Sequence, residues 1–423
     1  MNAVRRFSTA CIRLAKKGDV EEIRLYFGRP SNNLSLGLVG LANVGKSTLF
    51  QAFTRSKLGN PANYPFATIE PEKSMILVPL EKLEHYQSLF GSEKQVPSTL
   101  IVYDIAGLTR NASSGQGLGN KFLSDIRQVD GIFQVVRGFR DDDIIHIENN
   151  VVDPIRDLVI VNDELILKDL EYIETGLELV NKMYKKPQAN KAVLDFEKDL
   201  LERIQDLLYE GKKIASVETW TAEEIETINT YNFLTAKPTV FLLNVSESDY
   251  LLQTNEFVEK VEEWIGANCG GDKLVMVSAE YETKIAESLE VEDLQNAPQN
   301  ELKENNIETL SETVGQSALP SIVTQMRNAL HLISFFTCGP KEAHQWTIRQ
   351  GSTAPHAAGV IHTDLQKTFV SALVYKWADL KQESCPLNEA HIKSTGKQYR
   401  HGKKYIVEDG DVLIIKAAGG KSR

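Results

Sequence analysis

Apolar residues fall along this chain in short unbroken runs, set apart by longer stretches in which they recur every three or four positions. Residues 34–39 and 99–103 form two of the runs, and 131–139, 239–243 and 273–277 form three more. A brief continuous run bounded by turn residues is the pattern of a strand buried on both faces. Interleaved with helical stretches, these runs predict an α/β architecture, a mostly parallel sheet with helices on both faces. Ligands of such a sheet gather at the carboxyl ends of its strands.

From Pro154 onward the spacing turns helical. Leu158, Leu165, Leu167, Leu170, Ile173 and Leu177 recur among Asp, Glu and Lys; Pro187 interrupts, and a second stripe passes through Val193, Phe196, Leu200, Ile204, Leu207 and Leu208. Two long amphipathic helices joined by a short turn predict an αα-hairpin, paired as an antiparallel coiled coil and inserted into the sheet domain. Such an arm serves as a structural lever with an acidic solvated face, or as a partner-binding arm. Further on, β-like runs at 334–337, 346–350, 404–407 and 412–416 alternate with Gly, Pro and Asp, and Glu408-Asp409-Gly410-Asp411 marks a tight turn between the last two. A small separate β-rich domain is expected there. Residues 291–312 are polar and rich in Asn and Glu, and are expected to form a mobile surface loop.

Composition narrows the function classes. A chain of 423 residues, 42% hydrophobic and 25% charged, is expected to form two or three globular domains. No stretch reaches eighteen consecutive apolar residues, so no membrane insertion is expected. Cys11, Cys269, Cys338 and Cys385 are too scattered for a zinc site or a disulfide framework and read as free thiols. A net charge of -11 argues against wholesale wrapping of nucleic acid but leaves room for a local basic patch. The start of the chain departs from this average: Arg5, Arg6, Arg13, Lys16 and Lys17 precede the first carboxylate, Asp19. An Arg-rich, acid-free start containing Ser and Thr reads as a mitochondrial transit peptide over residues 1–20, hence the matrix; a basic tail of a cytoplasmic protein is the alternative.

Chemistry enters with Gly40-x-x-x-x-Gly45-Lys46-Ser47, which follows the first run and opens a helix, as a phosphate-binding loop must. Its glycines let backbone N–H groups curl around phosphate oxygens, and the helix N-terminus adds positive potential. Asn43, Val44, Gly45, Lys46, Ser47 and Thr48 are the expected contacts. Lys46 would reach the β and γ phosphates, and the Ser47 hydroxyl would take a place on Mg²⁺. Asp104-Ile105-Ala106-Gly107 closes the second run: Asp104 would hold the same Mg²⁺ through water, and the Gly107 N–H would sense the γ-phosphate. Thr68 lies between them in a loop rich in Asn and Pro, where it would complete the metal shell and order that loop with the γ-phosphate present. Leu108 stands where many switch GTPases carry a glutamine to orient the attacking water, which leucine cannot do. Lys46, Gly107 and Leu108 therefore frame the hydrolytic step. The water-orienting group is left to a backbone carbonyl, a partner or the segment 113–119, where Gln116 is a candidate.

Base recognition is expected at Asn244-Val245-Ser246-Glu247, after the run 239–243. An aspartate at the last position would accept two hydrogen bonds from guanine N1 and N2. Glu247 is one methylene longer, and Val245 replaces the lysine that usually packs over the ring; both changes weaken the case for guanine and leave adenine open. Asn244 would meet the base or tie its loop to the phosphate loop, and Ser278-Ala279 would close the other side of the base with a backbone N–H.

With these segments in this order, the chain resembles the Obg-like ATPases, the YchF family of P-loop proteins. The resemblance is carried by 40–50 (GLANVGKSTLF), 63–71 (NYPFATIEP), 104–123 (DIAGLTRNASSGQGLGNKFL), 244–247 (NVSE), 346–351, 354–367 (APHAAGVIHTDLQK) and 408–412 (EDGDV), and spans nearly everything from Leu36 to Lys416. It implies a Ras-like P-loop NTPase (OBG-type G) domain split over 34–140 and 235–325, a helical coiled-coil insertion at 141–234, and a β-grasp-like TGS domain at 330–418. It also implies slow Mg²⁺-dependent hydrolysis of ATP in preference to GTP, and association with the ribosome or a ribosomal subunit. Leu108 is similar to the family's hydrophobic replacement of glutamine. Asn43 resembles the asparagine that supports potassium in related enzymes, which implies K⁺ stimulation.

Two features depart from the family. Ser113 stands in place of a histidine, and a serine hydroxyl is a poor general base near neutrality; beside it, Arg110-Asn111 replaces Lys-Gly, a stiffer pair. The basic leader, absent from cytosolic members, suggests a mitochondrial fungal paralogue. A monomer is expected. Lys393, Lys397, Arg400, Lys403 and Lys404 are candidate contacts to rRNA phosphates, or a solvated surface loop. A nucleotide-dependent binding protein with negligible turnover, and a GTPase, are the competing readings.

Overall fold

The five apolar runs become neighbours in one sheet. β1 (Ser35–Val39) pairs in parallel with β4 (Thr99–Asp104) on one side and β5 (Gly131–Arg137) on the other; β6 (Thr239–Asn244) and β7 (Lys273–Val277) continue outward from β5, also parallel. Every residue of β1, β5 and β6 is buried, which is why these strands read as continuous apolar runs. β2 (Lys73–Leu77) adds an antiparallel edge to β4, giving the order β2-β4-β1-β5-β6-β7. The computed structural model describes residues 26–29, 31–55, 73–105, 107, 118–141, 151–295 and 317–418. The leader 1–20, Thr68, Leu108, Arg110, Asn111, Ser113, Gln116 and the loop expected beyond Gln295 lie outside these residues.

Helices α1 (Lys46–Arg55), α2 (Glu81–Phe90), α3 (Leu118–Gln128), α4 (Pro154–Tyr184), α5 (Lys191–Tyr209), α6 (Ala222–Tyr231), α7 (Glu247–Leu252), α8 (Val258–Asn268) and α9 (Ala279–Gln295) connect these strands. The expected hairpin is formed by α4 and α5. Pro154 opens α4 behind Asp153, whose side chain accepts the Arg156 N–H, so the helix start is capped as well as pre-set. The stripe divides in two: Leu158, Val161 and Leu165 join the main core, whereas Ile173 and Val180 pack against Leu194, Leu201 and Ile204 of α5. Leu167 and Val193, read as part of the buried stripes, face solvent instead. The base of the hairpin is held by Asp169, fully buried, which accepts hydrogen bonds from Leu234 N (2.8 Å), Thr235 N (2.7 Å) and Thr235 Oγ1 (2.7 Å). Residues 291–295, expected in a loop, continue α9.

After α10 (Leu319–Ala329), β8 (Leu332–Cys338) and β9 (Glu342–Arg349) form an antiparallel pair, followed by α11 (Ala354–Ile361), α12 (Thr363–Lys367), β10 (Phe369–Tyr375), α13 (Trp377–Leu380), α14 (Glu389–Ser394), β11 (Tyr399–His401) and β12 (Val412–Ala417). Residues 404–407 are not the strand expected from their sequence; only Ile406 makes a bridge, to Thr353. The turn at Glu408–Asp411 instead leads into β12, closed by the Asp411 carboxylate accepting from Glu408 N and Tyr405 Oη.

The second sheet runs β11-β10-β12-β8-β9-β3, and its last member comes from far upstream. β3 (Lys94–Val96) pairs in parallel with β9, and α2 covers the neighbouring face through Leu83, Tyr86 and Leu89 against Phe336, Tyr375 and Val412. Tyr86 Oη donates to Gly410 O (2.6 Å), Ser92 Oγ to Gly339 O (2.7 Å), and Lys82 pairs with Asp409 (2.5 Å). The segment 81–96, which falls within the range expected for the split G domain, thus completes the C-terminal sheet. Both its ends return to the first sheet, one through β2 and the other through β4, the strand that ends at Asp104. Among the described residues Cys269, Cys338 and Cys385 are free thiols, and no helix is long and apolar enough to cross a membrane.

Candidate nucleotide site

The carboxyl ends of β1, β5, β6 and β7 open onto a cavity of about 760 Å³, and Asp104 at the end of β4 is joined to its lining through Ser47. At one end lies the loop between β1 and α1, wound by three residues of positive φ: Gly40 (154°), Asn43 (60°) and Gly45 (95°). A Cβ at Gly40 would strike the Val135 carbonyl and one at Gly45 the Asn244 side-chain amide, so both positions require glycine for space as well as for φ. Gly107 packs against the same loop, where an added Cβ would lie 3.0 Å from Ala42 Cα.

Lys46, Ser47 and Asp104 converge here. The Lys46 ammonium is buried and donates to Leu41 O (2.6 Å). Burial pushes its pKa from the ordinary lysine value down to about 8, opposed by the Asp104 charge. A buried cation whose hydrogen-bond partner among the described residues is one backbone carbonyl is poised for an anion. Ser47 Oγ donates to Asp104 Oδ2 (2.8 Å), bringing a hydroxyl and a carboxylate together at the mouth of the loop. These are hard oxygen donors, few in number, as suits a Mg²⁺ that keeps several waters and binds the substrate's phosphates. The residues fit that ion: Ser47 and Asp104 would hold it, and its charge would neutralise phosphate oxygens. Thr68 and Leu108, outside the described residues, have no assigned place.

The other end of the cavity is built by Asn244 and the start of α9. Asn244 Nδ2 donates to Val44 O (2.9 Å) while its Oδ1 accepts the Ala279 N–H (2.9 Å), so this one buried side chain stitches the phosphate loop to α9. Of the two roles the sequence left open for Asn244, the structure realises the tie. Of the Ser278-Ala279 pair, expected to close over the base with a backbone N–H, the Ala279 N–H is committed to Asn244. Ser278 is fully buried and caps α9 by accepting the Tyr281 N–H (3.3 Å), so it does not line the cavity. Asn43, Gly45, Lys46, Ser47, Thr48, Asn244, Val245 and Ala279 do line it.

Glu247 opens α7 behind the Ser246 cap, and its carboxylate is paired with Lys284 of α9. Lys284 also pairs with Glu280 (2.8 Å), and its pKa is held above the ordinary value first by the hydrogen bond to Glu247, then by that to Glu280. Sequence reasoning passed over the face of α9 formed by Glu280, Thr283, Lys284 and Glu287, which lines the cavity. Its signal was available, since these residues recur at helical spacing directly after the last of the apolar runs, β7. Phe139, Arg140 and Asp141 were missed too. β5 was expected to run to residue 139 but ends at Arg137, whose buried guanidinium turns back to donate to Phe139 O (3.2 Å) and Asp141 O (3.1 Å) and so bends the chain across the cavity.

The comparisons with known proteins agree with this geometry. Residues 35–166 match a family model described as "50S ribosome-binding GTPase", and residues 332–418 match the YchF GTPase C-terminal model, described as "Protein of unknown function (DUF933)". The chain is 51% identical over 402 residues to an Obg-like ATPase homolog of Saccharomyces cerevisiae, covering 94% of this chain and 98% of that one. It is 43% identical over 404 residues to Obg-like ATPase 1 of Schizosaccharomyces pombe, covering 95% and 98%. Its fold superimposes on the solved structure of the Schizosaccharomyces pombe YchF GTPase with a TM-score of 0.80 at 42% identity, over 93% of this chain and 100% of that one. A P-loop held by Asn244, in a chain that these relatives match nearly end to end, makes this chain a member of the Obg-like ATPase (YchF) family of P-loop NTPases.

Proposed function

We propose that this chain is a slow, Mg²⁺-dependent ATPase acting as a nucleotide-controlled switch on the ribosome. The observation that carries the reading is the convergence of Lys46, Ser47 and Asp104 at one end of the cavity, with Asp104 on the strand that leads out of the second sheet. A rearrangement around the γ-phosphate would reach the C-terminal domain through β4, β3 and α2 without crossing a flexible linker. ATP in preference to GTP is supported by Val245 and Glu247 in the base motif and by the relatives named Obg-like ATPase. With Leu108 in place of a water-orienting glutamine, turnover is slow. Asn43 would support K⁺ beside the phosphates. Ribosome or rRNA association is supported by the model named for 50S binding and by exposed Lys393, Arg400, Lys403 and Lys404, while Lys397 is partly neutralised by Glu383 (2.7 Å). The protein acts as a monomer, and the leader directs it to the mitochondrial matrix. Phosphate release from MgATP and MgGTP by the wild type and by Lys46→Ala tests the enzymatic claim. Faster release from ATP, abolished by the substitution, is expected; equal rates in the two proteins would sink it.

A further inference from the structure

Beside the cavity, next to Val245 and Ser246 of its lining, lies an ion pair that the nucleotide-binding motifs do not explain. Glu247 and Lys284 are 37 residues apart, on α7 and α9, and meet beside the cavity. Lys284 pairing with Glu280 alone would be an ordinary exposed i,i+4 contact of little consequence. Its second partner is the carboxylate at the position from which guanine would be read.

Guanine presents two donors on that edge, N1–H and N2–H₂, and two free carboxylate oxygens are needed to receive both. Here Glu247 Oε2 accepts from the Lys284 ammonium, and Lys284 itself lines the cavity, so a guanine reaching for Glu247 would meet the cation. A base whose donors face a cation loses hydrogen bonds it made in water, and that is the strongest form of discrimination a polar site exercises. Adenine presents an acceptor at N1. An ammonium has three protons; two serve Glu247 and Glu280, and the third is available to an acceptor on the base.

We infer that Lys284 is a specificity-determining residue of the base site, masking Glu247 from guanine and offering a donor to adenine. The inference rests on the reading that this chain prefers ATP, and it adds the residue that enforces the preference. Neither Glu247 nor Val245 alone would suffice, because a glutamate freed of Lys284 regains an acceptor for guanine.

The test is calorimetric binding of MgATP and MgGTP to the full, nucleotide-free chain, read as the ratio of the two dissociation constants. Lys284 is half exposed, and methionine is a good helix former, so Lys284→Met keeps α9. In Lys284→Met the preference for ATP is expected to fall about tenfold or more. Lys284→Arg, which keeps the charge and the pairing, is expected to retain it, and Lys284→Met combined with Glu247→Ala to lose the gain in GTP binding. A wild type that prefers GTP would refute the ATP reading itself. A wild type that prefers ATP with a ratio unmoved by Lys284→Met would overturn only the role of Lys284. A gain in GTP binding that survives removal of Glu247 would overturn the masking.

Discussion

The Lys46 ammonium is buried at a cost in stability, and Lys46→Met measures that cost. The nucleotide-free fold lowers the lysine's pKa from 10.5 to about 8, chiefly by burial. At about 1.4 kcal/mol per pKa unit, this destabilises the native state by about 3 kcal/mol at pH 7. The folded value lies below the unfolded one, so between the two the unfolded chain binds the proton more readily. The penalty is therefore fully present below pH 8 and fades as pH rises toward 10.5. Methionine preserves most of the stem but leaves Leu41 O without its donor, a loss of about 1 kcal/mol. The nucleotide-free variant should then be more stable than the wild type by about 2 kcal/mol at pH 7, with the gap nearly closed by pH 9.5. Urea denaturation followed by tryptophan fluorescence reports this, since Trp264 packs on the main core. A variant no more stable at pH 7, or a gap that stays flat from pH 7 to 9.5, would refute the reasoning.

Two other substitutions probe how the modules are joined. Asp169→Ala leaves three buried donors of residues 234 and 235 without their acceptor and should cost at least about 3 kcal/mol, seen as a lowered urea midpoint; an unchanged midpoint would mean that the hairpin is anchored elsewhere. Tyr86→Ala empties a fully buried aromatic site between α2 and the second sheet and should cost about 3–5 kcal/mol. Limited proteolysis should then cut the variant between the two sheets well before the wild type, and equal cleavage would count against α2 and β3 as the coupling element.

Contiguous stretches of the chain announced the phosphate loop and the parallel strands, because each is made by neighbours in sequence. A glycine loop needs its few consecutive residues, and a strand covered on both faces writes its burial directly as an apolar run, as β1, β5 and β6 do. The hairpin was legible for the same reason, although periodicity could not say that Leu158 belongs to the main core and Leu167 to solvent. Relations between distant segments were invisible. A strand of three residues such as β3 has no signature of its own and exists because β9 offers it a partner. That Asn244 ties the loop could be read only once Val44 O and Ala279 N were seen on either side of it. The pairing of Glu247 with Lys284 is of this kind as well: two ordinary surface residues in the sequence, whose electrostatic meaning arises from the packing of α7 beside α9.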